Sequence, residues 1–488
     1  MAEAIEGLAQ SKEELVQKFA ELNKPISLEE LHKIFDKWLE LSNDNDFLDV
    51  ILAARCDRKI LGDPVWLFAI SNSGGTKTEI IRALKADDVY TLDSLTSHTF
   101  VSGKIGVNEE GEIEKVRGIL PQIDGKVLII KDFTVILSKR EEERSEIFAQ
   151  LRALHDGYLE FAYGTTPEAV RVHASIGVVA ASTPAIDMYG KLSTLLGERF
   201  LKIRHTTKPK ESARKAAKNL GYEIGMREEI LNATQKFISK LEFPDITIKE
   251  EQLEKIIELA YATAILRTPV MIRFWRYEDN EGTTPNIEYP TRLTKQYCKL
   301  TKLLANIRGH SEITEEDMAT IKRVAKDTCV PNRVKILEFM LKKKRQYVTR
   351  EIAEGSKMPL STCWRDLKEL EYLDVVDYEK VEESASSLGA MKHKPEKDGW
   401  TVKEPEIFAS LFNDEVIIQN SLFHELQKGR VKGKGSIEKN RYPLVLCETE
   451  SNLGIPCPYC KAKGKPMFFA TDHDLKCHVS AFHYSEDS

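Results

Sequence analysis

Long apolar runs are missing from this sequence: none approaches the roughly 18 residues that a membrane-spanning helix needs. The N-terminal stretch is acidic and amphipathic, without the basic start and apolar core of a secretory leader. The expectation is a cytoplasmic protein with no membrane partner. Cysteine is scarce, with eight in 488 residues, which excludes a disulfide framework. Cys56, Cys298, Cys329 and Cys363 are scattered as core cysteines are, and the others cluster near the C-terminus. A strong charge of one sign is also lacking. The formal net charge is −6, with acidic helices early and basic stretches late, so patches rather than the total decide the partners. No internal repeat is present. What the chain does have is apolar material, 42% of its residues, enough for several cores and, by length, about three domains.

The period of the apolar residues changes along the chain. In residues 1–44 the patterns are helical. Ser27 followed by Glu30 forms a capping box, and Leu28, Leu31, Ile34, Phe35, Trp38 and Leu39 share a face suited to packing on the next domain. Residues 45–207 alternate β-rich apolar runs (65–71, 89–92, 127–131, 175–181, 199–204) with amphipathic helices (77–85, 141–155). That is the α/β pattern of a mostly parallel sheet. Residues 208–330 keep a helical period with a break near 279–290, and predict an all-helical lid. Within 331–404, helices at 331–344, 349–356 and 360–371 precede extended segments at 374–381 and 399–403, which predicts a winged helix. A connecting segment with a basic linker spans 405–441, and a Cys/His cluster occupies 442–488.

The densest signal is Val65-Trp-Leu-Phe-Ala-Ile-Ser-Asn-Ser-Gly-Gly-Thr-Lys-Thr-Glu79, an apolar strand that turns through a loop into Lys77 and Thr78. The spacing fits G-x-x-x-x-G-K-[ST], with Ser71 and Thr76 in place of two glycines. Backbone N–H groups of Ser73, Gly74, Gly75 and Thr76 would wrap the phosphates of ATP. Lys77 would bridge the β- and γ-phosphates, and Thr78 would hold Mg²⁺. The bland alternative is a polar Gly-Gly turn after any strand. A second strand, Val127-Leu-Ile-Ile-Lys-Asp132, ends in a carboxylate where the nucleotide's Mg²⁺ would be held. Phe133 stands where such enzymes usually place a Glu, which predicts slow hydrolysis or a base elsewhere; Glu141, Glu142, Glu143 and Glu146 are nearest in sequence. A third strand ends at Ser182-Thr183-Pro184, where Thr183 could sense the γ-phosphate. Arg199, in Leu196-Gly-Glu-Arg-Phe200, could deliver charge to a phosphoryl group bound by a neighbouring subunit.

In this order and spacing, over about residues 45–330, these segments resemble AAA+ ATPases of the branch containing minichromosome-maintenance helicases and magnesium chelatases. The resemblance implies that Ala180-Ala-Ser-Thr183-Pro184 is sensor 1 and that Glu198-Arg199-Phe200 carries the arginine finger. It also implies that Pro290-Thr-Arg292-Leu-Thr carries sensor 2, ahead of the helix start Ile313-Thr-Glu-Glu-Asp317. In that branch a hairpin like Asp156 to His173 projects into the channel of a ring and touches DNA. Gly62-Asp-Pro-Val-Trp66, Ser94-Leu-Thr96, Val101-Ser-Gly103 and Lys131-Asp-Phe-Thr134 are similar to a group of bacterial, phage and mobile-element ATPases. The fold expected is therefore an AAA+ P-loop core with an all-helical lid, then a winged helix and a small zinc-binding module, assembled as a homo-oligomeric ring.

Two C-terminal modules extend the reading. Pro359 marks the turn of a helix-turn-helix whose second helix, 360–370, would expose Ser361, Thr362, Trp364, Arg365 and Lys368 toward DNA, diluted by Asp366, Glu369 and Glu371. Cys457-Pro-Tyr-Cys460, with His478 and His483, has the donor types and spacing for tetrahedral Zn²⁺, with His473 and Cys477 as substitute ligands. Lys428, Arg430, Lys432, Lys434, Lys439 and Arg441 favour a phosphate backbone nearby. Two functions stay open: an ATPase that works on DNA as a helicase-like or remodelling motor in replication or for a mobile element, and a DNA-binding assembly or regulatory protein switched by nucleotide with little turnover.

Overall fold

The computed structural model describes residues 25–42, 44–74, 76–100, 105–107, 113–115, 118–161, 170–189, 199–206, 208–273, 281–282, 285–379, 399–412, 455–456 and 468–469. The chain divides into two units, residues 1–426 and 427–488. In the second unit, Ile455–Pro456 pairs antiparallel with Phe468–Phe469.

The first unit is built on a five-stranded sheet. Strands β1 (Trp66–Ser71), β2 (Val89–Leu92), β3 (Val127–Ile130), β4 (Gly177–Ser182) and β5 (Phe200–His205) lie in the order β2-β3-β4-β1-β5. All four pairings are parallel. Parallel strands need crossovers that cover both faces, so their sequences read as continuous apolar runs. Alternation decides which face each residue serves. Leu67, Ala69, Ile129, Val179 and Leu201 enter one core with the helices and the three-helix unit. Trp66, Phe68, Ile130, Val178 and Phe200 enter the other, against Phe148 and Leu151. Gly177 opens β4 where a Cβ would meet the Asp57 carboxylate at 2.9 Å, so glycine lets that buried acid approach.

Among the described residues, the helices of seven residues or more are α1 (Leu28–Trp38), α2 (Asn45–Arg55), α3 (Lys77–Ala83), α4 (Glu141–His155), α5 (Pro209–Lys218), α6 (Glu223–Ser239), α7 (Glu250–Arg267), α8 (Thr291–Arg308), α9 (Glu315–Thr328), α10 (Pro331–Met340), α11 (Thr349–Gly355) and α12 (Leu360–Tyr372). The capping box forms: Glu30 N donates to Ser27 Oγ at 3.1 Å and Ser27 N to the Glu30 carboxylate at 2.8 Å. Leu31, Phe35 and Leu39 are buried, so the apolar stripe of α1 is core. Helix α9 closes the free edge of β5, where Lys202 N donates to Thr328 Oγ1 at 3.0 Å and Arg204 N to Asp327 Oδ2 at 2.8 Å. Those side chains occupy donors that an open edge would offer to another chain.

Helices α10 to α12 precede an antiparallel pair, Val376–Glu379 with Gly399–Val402, and Tyr347 bridges to Trp400 as a third element. Arg333 of α10 is buried and donates to the carbonyls of Leu266 and Thr268 at 3.0 and 2.7 Å. A 3-10 turn, Pro405–Leu411, returns to α7, with Phe408 and Leu411 buried. The three-helix unit is thus fastened at both ends and shares one core with the helices before it. Among the described residues, no helix is long and apolar enough to cross a membrane.

Candidate nucleotide site

The carboxyl ends of β1, β3 and β4 adjoin, because Ile70 pairs with Ser182 and Ile130 with Ala180. This register brings the loop after β1, Asp132 and Thr183 to one end of the sheet. Gly74 has φ +75°, a left-handed conformation that disfavours side chains. Lys77, the first residue of α3, folds back over the loop and donates from Nζ to the carbonyls of Ser71 and Asn72, both at 3.1 Å. Burial pushes its pKa down, opposed by the charge of Asp132. Ser71 Oγ and Thr76 Oγ1 are buried with no hydrogen-bond partner among the described residues. Two unsatisfied hydroxyls beside a buried ammonium mark a place suited to a polar ligand.

Asp132 lies two residues past β3, is exposed, and accepts from Thr134 N at 2.9 Å. Thr134 Oγ1 stands 3.5 Å from Thr183 Oγ1. Phe133 turns the other way: it is fully buried, its N–H donates to Ala181 O at 2.8 Å, and its ring centroid lies 4.8 Å from that of Phe68. The position after Asp132 is therefore a core position and supplies no base. Glu143 is held by Lys139 at 2.6 Å.

A second polar cluster sits at the opposite end of the sheet. Arg199 directly precedes β5, pairs with Asp156 Oδ2 at 2.8 Å, and its carbonyl accepts from Gln296 of α8 at 2.8 Å. Arg292, in the first turn of α8, has its pKa lowered by burial and by Arg199. His155 is held down to about 4, first by burial and then by Arg199 and Arg292. Arg267 and Glu288 form an ion pair beside them. Nothing local in the sequence announced His155, Asp156, Arg267 and Glu288 as members of this cluster. A buried His-Asp pair closing an amphipathic helix was the available hint.

Two expectations for α12 need correction. Lys368 is not an exposed contact: it bonds Glu371 at 2.7 Å and lies 5.0 Å and 5.3 Å from the ring centroids of Tyr378 and Trp400. Asp366 and Glu369 do not dilute an exposed face either, because they accept from Asn332 at 2.8 Å and Arg333 at 2.9 Å. Ser361, Trp364 and Arg365 are exposed as expected. The paired segments 158–161 and 170–173 form the expected hairpin base, joined by Arg171 and Glu160 at 2.6 Å. Its tip lies outside the described residues, as do Gly75, Glu198, the basic linker, Cys457, Cys460, His478, His483, His473 and Cys477. Among the described residues no group of His, Cys, Asp and Glu is placed to hold a metal. No family of known proteins matches the chain, and no curated protein does.

Proposed function

We propose that this chain is an AAA+ ATPase that assembles into a ring and works on DNA, as a helicase-like or remodelling motor. The observation that carries the proposal is that two polar clusters lie at opposite ends of one parallel sheet. Lys77, Thr78, Asp132 and Thr183 sit at one end, and Arg199 and Arg292 at the other. The first set suits phosphate, Mg²⁺ and γ-phosphate sensing; the second offers two guanidinium groups that fit the triphosphate of a neighbouring copy. The strand order β2-β3-β4-β1-β5 supports the same fold class. Three helices, an isolated β-bridge at Tyr347 and an antiparallel strand pair support a winged helix as the DNA-facing module. Zinc at Cys457, Cys460, His478 and His483 rests on the sequence spacing.

Phe133 favours a second reading, in which nucleotide gates assembly or DNA binding with little turnover, because its side chain belongs to the core. Steady-state hydrolysis of ATP with Mg²⁺, with and without single- and double-stranded DNA, beside Lys77→Ala, separates the two. Turnover stimulated by DNA and abolished in the variant supports the motor. Tight ATP binding without turnover supports the switch. Equal ATP binding by parent and Lys77→Ala refutes both.

A further inference from the structure

Charge in the three-helix unit is not concentrated where a helix-turn-helix would carry it. The exposed side chains of α12 include one cation, Arg365. The turn between α10 and α11 instead presents Lys342, Lys343, Lys344 and Arg345 in succession, all exposed. Among the described residues the three lysines make no ion pair, while Arg345 pairs with Glu351.

The turn is fixed in shape. Tyr347, buried and bridged to Trp400, donates its hydroxyl to Lys343 O at 3.0 Å. The Arg345 guanidinium lies 4.0 Å from the Tyr347 ring centroid, and its Nη1 donates to Gln346 O at 3.2 Å. Gln346 packs against Gly399, where a Cβ would collide with its side chain. Lys343, Lys344 and Arg345 rim a cleft of about 160 Å³ whose other wall is Thr401, Val402 and Pro405, while the Lys342 ammonium lies 6.0 Å from the Phe339 ring centroid. Lysines on a pinned turn lose less freedom on meeting a partner than lysines on a solvated linker.

We propose that this turn, rather than α12, is the phosphate-backbone contact of the three-helix unit, and that its partner is a nucleic acid gripped without reading its sequence. The inference rests on the proposed DNA function. Three ammonium groups in succession with no ion pair among the described residues, two of them at the cleft, suit a polyanion, and point charges fix phosphates without specifying bases.

The test is fluorescence anisotropy of the full-length protein with duplex DNA, single-stranded DNA and RNA of equal length across a range of KCl concentrations. Lys342→Gln/Lys343→Gln/Lys344→Gln should lower the slope of log affinity against log salt by about three, roughly one per lysine. Arg365→Gln should lower it by no more than about one. The matching triple arginine variant keeps the slope, which separates charge loss from misfolding. A loss on all three ligands or on duplex alone supports the assignment and says which backbone geometry the turn accepts. An unchanged slope in the glutamine variant, or an equal loss in Arg365→Gln, overturns it while leaving the DNA function standing. A parent protein that shows no salt-dependent binding overturns both.

Discussion

Arg199→Ala tests the proposed ring, because the sheet register forbids this arginine from serving its own chain's loop. Trp66 pairs with Phe200 and Ser71 with His205, so Arg199 begins six residues below the level of the loop's first residue. At about 3.3 Å per residue that is roughly 20 Å, well beyond side-chain reach. In trans, an arginine finger contributes about 10³ to 10⁵ in turnover, or about 4 to 7 kcal/mol. Arg199→Ala should therefore bind ATP like the parent and hydrolyse it at least about a thousandfold more slowly. Lys77→Ala should fail at binding. Mixed one to one, the two inactive proteins regain activity, since about one interface in four joins an intact loop to an intact arginine when subunits assort at random. The assay is phosphate release from the mixture against either variant alone. Arg199→Ala turnover within about tenfold of the parent, or no recovery on mixing although both variants assemble, refutes the assignment. Thermal melting guards against a trivial loss, because Arg199 also pairs with Asp156 at 2.8 Å.

Two further outcomes are expected. His155 is held near 4 by burial and by the two arginines, below the usual 6.5 of an unfolded histidine, so it adds stability that is complete above pH 6.5 and lost as pH falls through about 4. By linkage the loss reaches about 2 kcal/mol at pH 5, and His155→Phe should remove that part of the difference in melting temperature between pH 7 and pH 5; an identical pH profile in parent and variant sinks it. Elemental analysis of purified protein should find about one zinc per chain, released on chelation. Less than about half an equivalent, or metal retained by Cys457→Ser/Cys460→Ser, rejects the zinc module.

The sheet strands and the helices α3, α4 and α10 to α12 were legible because both faces of a parallel strand are apolar and each helix shows its own period. The capping box at Ser27 was legible for a similar reason, since both partners lie within one turn. What the sequence concealed are pairings between distant residues. Asp327 and Thr328 cap the backbone of β5 across more than 120 residues, and Arg333 reaches Leu266 and Thr268. The same blindness explains the misreading of α12. Asp366, Lys368 and Glu369 look like solvent residues when counted by helical spacing, yet Asn332 and Arg333 of α10 claim the two acids and the rings of Tyr378 and Trp400 lie under the lysine.

The candidate site divides along the same line. Lys77, Thr78, Asp132 and Thr183 sit at strand ends or within a few residues of them, so an ordered list of strands already places them together. Arg199 and Arg292 are 93 residues apart in the chain, and their shared neighbourhood depends on α8 packing against the start of β5. That packing is held by Gln296 on the Arg199 carbonyl at 2.8 Å and, farther along α8, by Lys299 on Asp57 at 2.7 Å. Asp57 in turn accepts the backbone N–H of Val65 at 2.9 Å, one residue before β1. The strand that delivers the Lys77 loop and the helix that carries Arg292 are thereby referred to one buried carboxylate. In the proposed ring, whatever shifts α8 against the sheet in one subunit moves the arginine pair that its neighbour's nucleotide would meet.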